Sequence, residues 1–289
     1  MKSEKWIERV LQSAAAVSGV AIAAILILLA YFCLPLLTSQ GLATVFSRQW
    51  QPFGGQFGIL PMVVGSLTLA CLALLLALPL AVGICTLLHV LGRGFLARLV
   101  LAFVHFMTSI PTVIYGFVSV FLLVPRLREW VAAGSGFSLL AAVLTLSLLI
   151  LPTITLILQA RLAQLDPALN LAAEAMGFTR VQQVRCVLLP AAARGVAVAA
   201  VLGFGRAVGD TLVSLMVAGN AAQFPDSLVA SIRTLTAHIG LVLATDSQSM
   251  AYQSVFAAGL LLFLLAGVVT LLIRTAGWKH GGLSRVKHR

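Results

Sequence analysis

Charge is what this chain has least of. Only 9% of its 289 residues are Asp, Glu, Lys or Arg, against about 25% in soluble domains. A surface with so few charges cannot face water, so lipid must solvate most of the outside. Cysteine is also rare. Cys33, Cys71 and Cys85 lie in apolar runs and Cys186 in a polar stretch, with no C-x-x-C among them. That spacing supports neither a zinc site nor a disulfide framework. The loop signature G-x-x-x-x-G-K-[ST] is missing, which excludes ATP binding by that route. The histidines, His89, His105, His238, His280 and His288, are scattered. They supply no metal or nucleophile cluster of the kind a membrane-embedded enzyme needs. The polar stretches are too short to fold as separate globules, so residues 1–289 read as one domain.

What the chain has in abundance is apolar length, with 61% of residues hydrophobic. A spanning helix needs about 20 largely apolar residues. The stretches Ser13–Leu37, Leu60–Leu88, Leu99–Leu123, Leu139–Leu158, Gly195–Val217 and Met250–Ile273 qualify. The runs are continuous rather than alternating, and a helix satisfies its own backbone in lipid. The fold class is therefore all-α, a polytopic membrane protein with about six transmembrane helices. The first run is too long for the apolar core of a signal peptide.

Basic residues set the orientation. Of 19 Lys and Arg, 14 fall in one set of flanking segments. Arg48, Arg126, Arg128 and Arg233 fall in the other, and Arg206 lies inside the fifth run. Both termini and the segment at about 159–194 are expected in the cytoplasm. Because the basic residues border membrane helices instead of forming one face, the net charge of +11 is not a nucleic-acid footprint.

That cytoplasmic segment has internal punctuation. Asp166 can cap a helix with Pro167 at its first position. Gly177 can take the left-handed conformation that ends it, and Thr179 can cap a second helix running to about Pro190. Leu165, Leu169, Ala172 or Ala173, and Met176 recur at helical spacing, followed by Val181, Val184 and Leu188. Two short helices with apolar faces need a cover, either lipid or a soluble partner that accepts a helix in a groove.

Glu174-Ala-Met-Gly177, followed by Val187-Leu-Leu-Pro190, resembles the coupling motif of binding-protein-dependent ABC importers. That motif places a Glu-Ala-Ala stretch before the glycine and Leu-Pro about a dozen residues after it. The usual glutamate position, six before the glycine, holds Leu171 here. Three further stretches resemble the phosphate permeases, and in particular the C-type of the two sister permeases. They are Trp50-Gln-Pro52 with Phe57-Gly-Ile-Leu-Pro61, Ser109-Ile-Pro-Thr-Val-Ile-Tyr-Gly-Phe117, and Gly205-Arg-Ala-Val-Gly-Asp-Thr211 with Val217-Ala-Gly-Asn220. Asp210 stands where that family usually has glutamate.

The resemblance implies a non-catalytic permease subunit in a bacterial inner membrane, importing phosphate by alternating access. It implies ATPase coupling through Ala172, Ala173, Glu174, Gly177, Leu189 and Pro190. It also implies no cofactor in this chain, since ATP and Mg would be bound by a partner. The partners implied are a sister permease, two ATPase copies and an extracytoplasmic binding protein. A self-contained secondary transporter or channel for a small anion is the alternative, although such carriers often show two related halves and none is evident here.

The residues point to a pathway without the family. An arginine at the middle of a span costs about 2.5–3.5 kcal/mol on insertion scales, so Arg206 needs a reason to be there. Asp210, one turn on, would share its helix face. The two then read either as a neutralising ion pair or as a pathway arginine balanced by Asp210 between substrates. Arg206 suits an oxyanion because guanidinium donates paired hydrogen bonds to phosphate oxygens, and the resemblance adds Thr211, next to Asp210, to the pathway residues. Ser109, Thr112 and Tyr115 fall at helical spacing around Pro111. They could line the pathway or bond neighbouring helices. Close helix packing is the expected reason for Gly203, Gly205 and Gly209.

Overall fold

All six apolar stretches are mainly helical over their described residues. The computed structural model describes residues 2–34, 46–92, 94–131, 135–165, 167–243 and 250–278. In chain order the helices are α1 (Lys2–Cys33), α2 (Leu60–Leu91), α3 (Phe95–Ser109), α4 (Thr112–Val131), α5 (Leu139–Ala163), α6 (Pro167–Ala175), α7 (Arg180–Ala191), α8 (Ala193–Gly209), α9 (Leu212–Val217), α10 (Leu235–Val242) and α11 (Met250–Trp278). A two-residue hairpin pairing Trp50 with Phe57 precedes α2. Helices α1, α2, α5 and α11 are each long and apolar enough to span a membrane alone.

The third and fifth spans are not continuous; the first of these breaks accords with a proline's tendency to kink its helix, whereas the break in the fifth departs from the sequence expectation. Helices α3 and α4 meet at 96°. Pro111 removes a backbone donor and forces Ile110 out of the helical region; Ile110 is extended at φ −74°, ψ 123°. The fifth span stops at Gly209 and restarts at Leu212, with Asp210 extended at φ −75°, ψ 128°. Helix ends also differ from the apolar runs. Helix α1 begins at Lys2, ahead of the apolar start at Ser13, because Lys, Glu and Arg extend a helix readily. Leu37 and the capping position Asp166 lie outside the described residues.

The core is built on α2 against α5. Ala70, Ala73, Ala77 and Ala81 are fully buried along one face of α2, a small-residue stripe that lets two backbones approach closely. Facing them, α5 contributes buried Leu146, Leu149, Ile150, Ile154 and Leu158. Helix α8 packs onto the same pair at Gly203, where an added Cβ would meet Ile154 Cγ1 at 2.6 Å. Close packing therefore explains Gly203, and Gly205 faces Val269 at 3.0 Å. It does not explain Gly209, whose Cβ position is open. Helix α1 packs against α11 through stacked Phe32 and Phe256, centroids 4.6 Å apart, and leaves most of its apolar surface uncovered.

Candidate functional site

The two broken spans cross each other. Gly116 in α4 approaches Met216 in α9 so closely that a Cβ would lie 2.7 Å from its Sδ. The break in the fifth span is held by side chains. Asp210 Oδ2 accepts from Val213 N at 2.9 Å, which caps α9 as aspartate caps any helix start. Thr236 Oγ1 donates to the Asp210 carbonyl at 2.9 Å. Thr234 Oγ1 donates to Ser214 Oγ at 3.0 Å and also caps α10 through Ala237 N. Leu235 N donates to Ser66 Oγ of α2 at 2.8 Å. Helix α10 is thereby pinned between the break and α2.

The expected Arg206–Asp210 ion pair is not formed. The pairing argument assumed an unbroken helix, and the break turns the carboxylate toward the start of α9. Among the described residues the one salt bridge is Arg180–Glu174. Arg206 still lies within electrostatic range of Asp210 and Tyr115. It borders a cavity of about 570 Å³ lined also by Leu202, Gly209, Thr236, Leu262 and Val269. In this largely apolar hollow, a guanidinium with no hydrogen-bonded partner among the described residues is an available anion donor.

The other predicted pathway residues divide. Tyr115 sits near Arg206, but its hydroxyl donates to the Met107 carbonyl at 2.9 Å, bridging the bend between α3 and α4. Ser109 closes α3 with its hydroxyl on the His105 carbonyl at 3.4 Å, and Thr112 opens α4. Their helical spacing is lost at Pro111, so the three do not form one face. Thr211 gives its carbonyl to Leu215 N at 2.9 Å and serves the break rather than the cavity.

The polar segment folds as the punctuation required. Gly177 adopts φ 75°, and Phe178 N reaches back to the Ala173 carbonyl at 3.1 Å, the backbone closure of a glycine helix end. Thr179 and Gln182 form a reciprocal capping box. Ala173, Val184 and Leu188 are buried, whereas Leu171, Met176 and Val181 are exposed at 67%, 63% and 46%. Ala172, Glu174 and Pro190 are accessible, Leu189 is half-buried, and Ala173 faces inward. The Glu174–Arg180 contact, at 3.6 Å with both side chains about half exposed, contributes little stability.

A profile described as the binding-protein-dependent transport system inner membrane component matches residues 74–276. The chain belongs to that family. It is 34% identical over 231 residues to the probable ABC transporter permease protein YqgH of Bacillus subtilis, covering 79% of this chain and 75% of that one. It is 26% identical to the phosphate transport system permease protein PstC of Haemophilus influenzae, covering 94% of this chain and 93% of that one. Among solved structures, a methionine ABC transporter in an inward-facing conformation matches with a TM-score of 0.60, at 24% identity and over 79% of this chain and 99% of that one. An alginate ABC transporter in complex with a pentasaccharide-bound periplasmic protein matches with a TM-score of 0.63, at 18% identity and over 94% of each chain. Both share the fold. This permease is a multi-pass, non-catalytic inner membrane subunit.

Sequence reasoning missed the residues that build the fifth-span break. Thr234, Thr236 and Ser66 are distant from the break in sequence, and nothing local marks them. One local cue was available. Gly209-Asp210 combines a residue that ends helices with one that caps them, and Asp210 was read for its charge instead.

Proposed function

We propose that this permease forms the translocation pathway of an ATP-driven importer for inorganic phosphate. The observation that carries the substrate is Arg206, a guanidinium with no ion pair among the described residues, beside a broken span inside the membrane. Only a recurrent anionic visitor accounts well for such a group, since a structural arginine would be neutralised. The PstC of Haemophilus influenzae, matched over 93% of its length, supports the same substrate. In this reading Arg206 receives the anion, and Asp210 and Thr211 shape the break beneath it. Tyr115, Ser109 and Thr112 set the bend that the break packs against. The hairpin α6–α7 docks the motor through its exposed Leu171, Met176 and Val181 with Ala172, Glu174, Leu189 and Pro190, while Gly177 and Ala173 fix its shape. A sister permease, two ATPase copies binding ATP and Mg, and an extracytoplasmic binding protein complete the complex. A self-contained carrier is disfavoured because it would leave this exposed apolar hairpin without a use.

The deciding experiment is ATPase stimulation in the complex reconstituted with its binding protein. Phosphate should stimulate hydrolysis and sulfate should not, and stimulation by sulfate alone would overturn the substrate. Orientation has its own test, with both termini and the hairpin α6–α7 proposed as cytoplasmic. With native Cys186, which is exposed on α7, as the sole cysteine, an impermeant maleimide should label intact cells only after permeabilisation. A Ser135→Cys variant lacking Cys186 should label from outside. Labelling of Cys186 in intact cells would invert the topology.

A further inference from the structure

The hairpin α6–α7 buries one polar side chain among its apolar ones. Gln183 is 2% exposed, next to fully buried Val184. A buried amide without partners is costly, so its bonds reveal what it is there to hold. Gln183 Nε2 donates to the Phe178 carbonyl at 3.2 Å, within the turn that Gly177 makes. Gln183 Oε1 lies 3.4 Å from His89 Nε2. Because the amide oxygen can only accept, the ring nitrogen donates. His89 stands at the end of α2. One amide thus bridges the glycine turn to a membrane-spanning helix.

Three observations set this bridge apart from ordinary packing. Gln183 opens a π-helical stretch, Gln183–Leu188, and such widened turns occur mostly as local departures that place a particular side chain. Beside the bridge lies a hollow of about 570 Å³, lined by Cys85, His89, Gln159, Asn170 and Arg180. Close packing therefore does not fix the spacing between α2 and the hairpin there. The far end of α2 is fastened as well. Gly65 abuts the Arg233 carbonyl, with an added Cβ at 2.6 Å, and Ser66 holds Leu235 N. Thr236, in the same turn, holds the Asp210 break. Helix α2 runs Leu60–Leu91, about 48 Å at ~1.5 Å per residue. It is one continuous helix, with Pro79 inside it, tied to the motor-facing turn at one end and to the fifth-span break at the other.

We propose that Gln183 is a positioning residue that, through His89, makes α2 follow the Gly177 turn, so that motor movement reaches the fifth-span break. This rests on the coupling reading above. The test uses the complete complex in proteoliposomes with its binding protein, and reads phosphate moved per ATP hydrolysed. Gln183→Met keeps length and bulk without the amide. It should assemble normally and lower that ratio about three- to tenfold, the scale of one lost hydrogen bond. His89→Leu should lower it similarly, and the double variant should be no worse than either single change. His89→Gln, which keeps a donor, should recover most of the ratio.

A merely structural pair would lose assembled complex and leave the ratio untouched. Wild-type ratios in both singles, additive losses in the double, or His89→Gln behaving like His89→Leu would each overturn the proposal. Should Gln183→Met fail to assemble, the two His89 variants decide alone. Gly177→Val in the same assay separates the two readings. If it uncouples hydrolysis while Gln183→Met does not, the relay fails and the coupling hairpin stands. If Gly177→Val is itself silent, the coupling reading fails.

Discussion

Arg206→Leu is expected to cut phosphate uptake by about 10- to 100-fold while leaving the amount of assembled complex near wild type. A charge-assisted hydrogen bond contributes about 1.5–3 kcal/mol, and each 1.4 kcal/mol is roughly tenfold. Folding should tolerate the change because Arg206 has no ion pair to strand among the described residues. That expectation depends on the break at Asp210, whose carboxylate caps α9 instead of neutralising the arginine. Asp210→Leu should act differently, removing the cap at a cost of about 1 kcal/mol and loosening the break itself. Asp210→Asn keeps an acceptor and should be milder. Arg206→Lys should transport poorly, since a point charge cannot reproduce the planar two-pronged contact. The readout is labelled-phosphate uptake in vesicles, normalised to assembled complex. If the double change Arg206→Leu with Asp210→Leu restored uptake, the two would be an ion pair after all. Wild-type uptake by Arg206→Leu alone would end the pathway role.

Gly177→Val should insert normally and lose about tenfold or more of its substrate-stimulated ATPase activity, because about 1–2 kcal/mol of left-handed backbone strain falls on the turn proposed to dock the motor. Gly177 holds φ 75°, and nothing lies within 4 Å of an added Cβ. The penalty is therefore conformational, free of any steric clash. That predicts a graded series. Gly177→Asn should be mildest because asparagine visits the left-handed region, Gly177→Ala intermediate, and the β-branched Gly177→Val worst. Equal effects from all three, measured as hydrolysis stimulated by loaded binding protein, would mean that the turn's conformation is not what couples the motor.

The Gly177 turn was readable in sequence because its cause is local. A glycine, a threonine cap and a glutamine three residues on determine their own backbone, and Thr179 with Gln182 closes as local rules require. The third-span bend was half readable. Pro111 announces a disruption but not 96°, since the angle depends on what α4 packs against after it turns. The Arg206–Asp210 relation was misread for the opposite reason. Spacing on an ideal helix put them on one face, but contacts from outside the helix ended it between them.

By itself the sequence determined that the chain lives in lipid, that it is helical, and where its apolar runs lie. It also determined the shape of the hairpin α6–α7. These follow from composition and from interactions within a few residues, which any context leaves intact. Beyond the local cue of Gly209-Asp210, the tertiary structure decided that the fifth span breaks at Asp210, with Thr236 and Ser214 around it. It alone placed Gly116 on Met216, and it alone joined Gln183 to His89 across 94 positions. Such contacts depend on how helices settle against one another, and there the small faces of Ala70, Ala73, Ala77, Ala81 and Gly203 set the distances.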